Sequence, residues 1–179
     1  MAASSSAAAL SCKHRPVGTP ALDHVLRHNV WATTTLLDFC RRLDPSTLEA
    51  TAAGTYGTLG GTLQHLVGAE QWYVKLLTGE LIGAPIRRTE HHSLNELSTI
   101  AAATGSRILA VAARDDAVRV IQTNERRSST VGVVLAQLVH HGNEHRTQVT
   151  TILGANGIEP PPVSAWGYGR ATGISETEE

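Results

Sequence analysis

Two histidines, His141 and His145, stand four residues apart in the late stretch 138–148, and on a helix positions i and i+4 share one face, a turn apart. Their imidazoles can converge on one point. The flanking runs, 131–139 and 149–153, are apolar enough for a buried helix, and a polar ring on a buried face needs a partner. Neutral imidazoles at this spacing suit a divalent metal, while two core histidines bonded to neighbouring groups would satisfy the same pattern. A third histidine elsewhere decides between them. His65 is the candidate, set among Leu63, Leu66 and Val67 on a stretch whose periodicity marks a buried helix; the spacing leaves its direction open.

Three nitrogen ligands and one open position make catalytic rather than structural architecture. A closed structural zinc site takes four protein ligands, commonly cysteines, and Cys12 and Cys40, the two in the chain, are not suitably placed. A metal held by neutral imidazoles keeps its positive charge and can lower the pKa of bound water to around 7, or hold a thiol as thiolate. Gln148 lies three residues past His145 on roughly the same face and can hydrogen-bond a ligand histidine or a substrate. Glu70 and Gln71, one to two turns beyond His65, read either as orienting groups or as exposed polar residues. Glu144 completes an H-x-x-E-H pattern, the inverted zinc-peptidase motif in which the glutamate is a general base, but it projects about 100° from His145, which can carry it out of the site. Arg146 reads as an ion-pair partner, since arginine is rarely buried unpaired, with a substrate or cofactor clamp as the other role. Trp166 and Tyr168 are candidates for the wall of a cofactor pocket. Cys40 reads as an inert packed thiol.

Four amphipathic stretches must position these residues. The first, from Ala21 to about Leu43, repeats Leu22, Val25, Leu26, Val30, Trp31, Leu36, Leu37 and Phe39 at helical spacing. Trp31 reads as a core anchor, Thr33-Thr34-Thr35 as a local weakness, and Asp44-Pro45-Ser46 as the stop. A second helix is expected from about Tyr56 to Leu77, starting as late as Gly61 because of its glycines. Ser93 and Glu96 form a capping-box pattern that opens a third helix to about Ala113, which Asp115-Asp116 closes. His91 and His92, adjacent and so pointing apart, read as exposed. Residues 117–123 alternate like a strand too isolated to found a sheet, 124–128 read as a solvated turn, and Ser129-Thr130 caps a fourth helix running to about Asn156. A proline-rich tail follows, with Trp166 and Tyr168 to bury, and fraying is expected from Arg170. The fold class is thus all-α, a four-helix bundle over 21–168, between a mobile leader at 1–20 and a flexible tail at 169–179.

Composition narrows the function. The chain has 179 residues, 41% of them hydrophobic, and a formal net charge of −1, which fits one domain with a proper core. The basic patch that nucleic acid requires is missing, and no apolar run approaches a membrane span. Two cysteines form no disulfide framework, so a reducing cytoplasm is expected. Thirteen arginines against Lys13 and Lys75 resemble the usage of GC-rich bacterial genomes.

Three segments together, residues 28–32, 62–70 and 141–148, resemble the DinB/YfiT-like superfamily over about Pro20 to Tyr168. The resemblance implies a bundle in up-down-down-up order with a divalent metal, zinc first and nickel, manganese or iron as others, on His65, His141 and His145. It further implies a thiol S-transferase or isomerase that activates mycothiol or bacillithiol against a small electrophile, in a monomer or homodimer. The family often carries glycine at the position of Thr147. Two other readings stand beside it: a metal-dependent hydrolase with Glu144 as base, and a non-catalytic small-molecule binder.

Overall fold

A computed structural model of the chain describes residues 20–114 and 117–175. The leader read at 1–20, but for Pro20, and the Asp115-Asp116 stop lie outside the described residues. The elements run α1 (Pro20–Cys40), a 3-10 turn (Pro45–Glu49), α2 (Leu59–Thr78), α3 (Leu94–Ala112), β1 (Val120–Asn124), β2 (Arg127–Thr130), α4 (Val131–Ala155) and α5 (Ala165–Ala171). Each long helix after the first starts on a polar cap: Thr58 accepts from Gly61 N, Ser93 and Glu96 form the full capping box, and Thr130 accepts from Val133 N. These caps satisfy amide groups that have no partner inside the helix.

The apolar core is split in two. One cluster gathers Leu36 and Leu37 of α1, Leu59, Leu63 and Val67 of α2, Leu97 and Ile100 of α3, and Val149, Ile152 and Leu153 of α4. The other holds Leu26, then Val74 and Leu77, then Ile108, then Val131, Val134, Leu135 and Leu138. Chain order through the clusters gives the helix directions. α1 and α4 run from the second cluster to the first, while α2 and α3 run from the first to the second, which is up-down-down-up. α1 packs on α3 and α4, and α2 on the same two helices, so the α1–α2 and α3–α4 connections cross the bundle diagonally. That geometry explains their length, and one holds the 3-10 turn while the other holds the β-hairpin.

Between the clusters lies a polar waist. Asn29 and Thr33 of α1, Glu70 and Gln71 of α2, Thr104 of α3 and His145 and Arg146 of α4 are all buried there. Glu70 and Gln71, for which exposure was one reading, are each 2% exposed, because both sit on the face turned toward the bundle or toward the 82–86 loop rather than toward water.

Several boundaries depart from the sequence reading. α1 stops at Cys40 instead of about Leu43, where Arg42 N and Leu43 N donate to Phe39 O and Cys40 O and tighten the last turn. Asp44, read as part of the stop, instead caps the 3-10 turn by accepting from Ser46 N at 2.9 Å. Leu22 and Val25 are exposed and Trp31 is only half-buried, while Leu26 between them carries the buried face of α1 at that end. Residues 120–124 pair antiparallel with 127–130, so the turn read at 124–128 belongs to a hairpin whose second strand, Arg-Ser-Ser-Thr, lacks any apolar alternation. Fraying from Arg170 is not seen as far as Ser175. α5 continues to Ala171, and at Gly173 (φ 68) the chain turns so that Ile174 N and Ser175 N both donate to Gly169 O.

Candidate metal centre

His65 on α2 and the His141/His145 pair on α4 meet at the edge of the waist. Their candidate ligand nitrogens all lie within 4.8 Å of one another, and His141 Nε2 stands 3.2 Å from His65 Nε2. The ring centroids of His141 and His145 are 4.4 Å apart and those of His65 and His145 4.6 Å. The direction that the sequence left open for His65 is toward the pair.

The donor set fits a divalent metal. Burial, then the charges of the other two histidines, push His141 down to about 4 from its ordinary 6.5. His65 is lowered by burial first, then by His145 and Arg88. Rings held neutral at physiological pH are in the form that ligates. His145 Nδ1 lies 2.9 Å from Gln148 Oε1; an oxygen acceptor there makes Nδ1 the donor and leaves the Nε2 lone pair free. His141 turns Nε2 toward His65, while its Nδ1 is buried with no hydrogen-bond partner.

Aromatic rings brace the cluster. Tyr56 stacks on His65 at 4.2 Å with 12° between planes and meets His145 edge-on, while Tyr73 meets His141 edge-on at 5.9 Å. Tyr56 lies in the loop before α2, and Gln148 fixes that loop too, its Oε1 accepting from Tyr56 N at 3.2 Å. One amide oxygen thus ties a histidine and the ring stacked on its neighbour. In front of His65 and His141 opens a cleft of about 1060 Å³, walled by Tyr56, Trp72, Tyr73, Ile86 and Arg88.

Behind the histidines the waist is closed by a buried network. Glu70 Oε1 accepts from Asn29 Nδ2 at 2.8 Å and from Thr33 Oγ1 at 3.2 Å. Arg146 Nη1 donates to Asn29 Oδ1 at 2.8 Å and to Thr33 Oγ1 at 3.2 Å. Burial raises Glu70 and lowers Arg146, and each opposite charge resists the other's shift. Gly142 makes room for it: a Cβ there would stand 2.6 Å from Asn29 Oδ1 and 2.7 Å from Arg146 Nη1. A glycine in mid-helix costs about 1 kcal/mol, and this contact accounts for it.

The expected site residues therefore divide. His65, His141, His145 and Gln148 come together. Arg146, read also as a cofactor clamp, is 3% exposed and spends its donors on α1, facing away from the cleft. Trp166 is 75% exposed and outside the cleft lining, and Tyr168 packs at 5.6 Å on Trp31 and 6.0 Å from His28, so neither walls this pocket; α5 is instead pinned to α1, with His28 Nε2 2.8 Å from Val163 O. Glu144 is exposed, makes no hydrogen bond to the rings and reaches His65 and His141 only as a nearby charge. Cys40 is buried, and burial pushes its thiol up to about 11. Of the adjacent pair read as exposed, His91 is, but the His92 side chain is only 11% exposed, where its backbone N–H donates to Gln64 Oε1 of α2.

Sequence reasoning missed Tyr56, Gln64, Asn29 and Thr33. Tyr56 is reached across a loop and leaves no periodic signal. Asn29 and Thr33 did leave one, since they fall on the stripe of Leu26, Leu36, Leu37 and Cys40, where a polar residue must find a buried partner.

The DinB family model matches residues 17–179. A crystal structure of a DinB-like protein from Bacillus cereus ATCC 10987 is similar with a TM-score of 0.66 at 17% identity, covering 84% of this chain and 100% of that one. Curated proteins yield no significant match.

Proposed function

This chain belongs to the DinB family, and from that premise we propose that it is a divalent-metal-dependent enzyme that transfers or isomerises through a thiol nucleophile. The observation that carries the proposal is the convergence of three imidazoles, two of which, His65 and His141, line an open cleft. His65, His141 and His145 would hold the ion, with zinc the first choice for an all-nitrogen set. A divalent cation in such a set supplies Lewis acidity and favours the thiolate of a thiol brought to it.

The chain's own residues do the positioning. Gln148 fixes the tautomer of His145, and Tyr56 and Tyr73 fix the planes of His65 and His141. The buried Glu70–Arg146 network keeps α1, α2 and α4 in register, so the two helices that carry the histidines cannot slide apart. The cleft mixes aromatic and aliphatic side chains with Gln64, Arg88, Thr89 and Glu90, which suits a small electrophile that carries a polar group. Thiol transfer is the reading favoured over hydrolysis because Glu144, the base a hydrolase of the H-x-x-E-H kind needs, lies exposed on α4 and unbonded to the rings. A zinc-loaded preparation offered mycothiol, bacillithiol or glutathione with a generic electrophile such as monochlorobimane is expected to consume one of the thiols. Loss of that turnover in His145→Ala supports the reading; no thiol consumption, or turnover unchanged in that variant, overturns it.

A further inference from the structure

The loop between α2 and α3 is tied to α2 by two glutamines, and it brings Arg88 and Glu90 to the cleft. Gln71 Nε2 donates to Ile82 O and Ala84 O at 2.7 and 2.8 Å while its Oε1 accepts from Ile86 N. Gln64, next to His65, repeats the device: Nε2 donates to Arg87 O and Glu90 O at 2.9 and 2.8 Å, and Oε1 accepts from His92 N. Two side chains of α2 thus use both donors and the acceptor to fix residues 82–92, and Arg88 lies inside the second clamp.

Arg88 is placed over the Tyr56 ring at 5.8 Å, and that ring is stacked at 4.2 Å on His65. The guanidinium reaches the phenol ring and the phenol ring stacks on an imidazole of the histidine cluster. Among the described residues Arg88 has neither an ion pair nor a hydrogen bond, whereas its neighbour Arg87 holds Glu90 at 2.9 Å. A guanidinium parked on an aromatic face keeps its N–H edges free for a planar anion. Of the cleft's acids, Glu90 is engaged by Arg87, and Glu49 sits exposed on the 3-10 turn, where solvent screens it.

We propose that the cleft recognises a carboxylate carried on a planar, unsaturated or aromatic small molecule, and that Arg88 is the residue that selects it. The apolar walls at Trp72, Tyr73 and Ile86 take the planar body, and the fork of Arg88 takes the carboxylate through charge-assisted hydrogen bonds. This deepens the functional reading by naming the substrate class of the same site. It also makes Tyr56 a positioning residue for both the imidazole and the guanidinium.

Benzoate and its neutral counterpart benzamide serve as probes, titrated calorimetrically into the full chain both stripped of metal and loaded with zinc. Benzoate is expected to bind about tenfold more tightly than benzamide in both forms. Arg88→Gln should remove that preference and leave benzamide binding unchanged, and Arg88→Lys should restore part of it. Because Arg88 is exposed, the melting temperature of each variant should match that of the parent. Absence of saturable benzoate binding, equal affinity for both probes, or a benzoate preference that survives Arg88→Gln overturns the proposal. Benzoate binding seen only with zinc and indifferent to Arg88 also overturns it, while sparing the metal centre. A chain that holds no zinc yet keeps the Arg88-dependent preference upholds it and sinks the metal reading instead.

Discussion

Two polar clusters share the waist of this bundle, within a few residues of each other on α2 and α4, and they are built to opposite rules. In the Asn29–Thr33–Glu70–Arg146 network every residue is at most 3% exposed and bonded to another member. The histidine cluster opens on a cleft, carries two rings whose proton affinity is depressed and leaves His141 Nδ1 without a partner. A satisfied, closed network specifies packing; three imidazoles converging beside an open cleft can hold a ligand. The difference separates the scaffold from the site, although sequence places Arg146 directly beside His145.

The comparison breaks most severely if the network proves dispensable. Arg146→Met leaves Glu70 buried without its compensating charge and is expected to cost about 3–5 kcal/mol in urea unfolding. Adding Glu70→Gln should recover a large part of that loss; a single variant as stable as the parent would show that the network carries no structural weight. A smaller effect belongs to Gln148→Leu, which removes the acceptor on His145 Nδ1 and the tie to Tyr56. Zinc affinity should fall about 10–100-fold with the fold retained, as read by competition with a chromophoric chelator, and unchanged affinity would deny Gln148 its orienting part. A third effect is the pH dependence of the metal-free chain. His141 titrates near 4 in the fold against 6.5 ordinarily, so between those values the unfolded chain binds a proton that the folded one refuses. Stability without metal should therefore decline as pH falls from about 6.5 toward 4. Substituting His141→Gln should make that slope shallower and leave the part that His65 contributes; a slope equal to the parent's would assign it to other groups.

Much of this could be read from sequence, for physical reasons that differ by element. The four long helices announced themselves through apolar spacing, and the Ser93/Glu96 box fixed one boundary to the residue. The convergence of His141 and His145 was legible because i and i+4 on a helix share one face, whereas the direction of His65 emerged only from the packing of α2 on α4. What stayed hidden depends on tertiary neighbours. The burial of Glu70 and the inward turn of Arg146 require partners on α1, and the Thr33-Thr34-Thr35 run, weak as helix, is explained only when Thr33 bonds Glu70 and Thr34 bonds Val30 O and Trp31 O. Tyr56 and Arg88 sit on loops, where no period connects a residue to what it touches. β2 was concealed by its polar composition, and α5 by the prolines that precede it.

Metal content, measured by mass spectrometry on protein purified without chelators, tests the central claim most directly. About one divalent ion per chain is expected in the parent, with loss of that ion in His65→Ala, His141→Ala and His145→Ala while circular dichroism stays that of a helical bundle. A parent chain that takes up no divalent ion even when dialysed against zinc, or three variants that all retain it, would contradict the account.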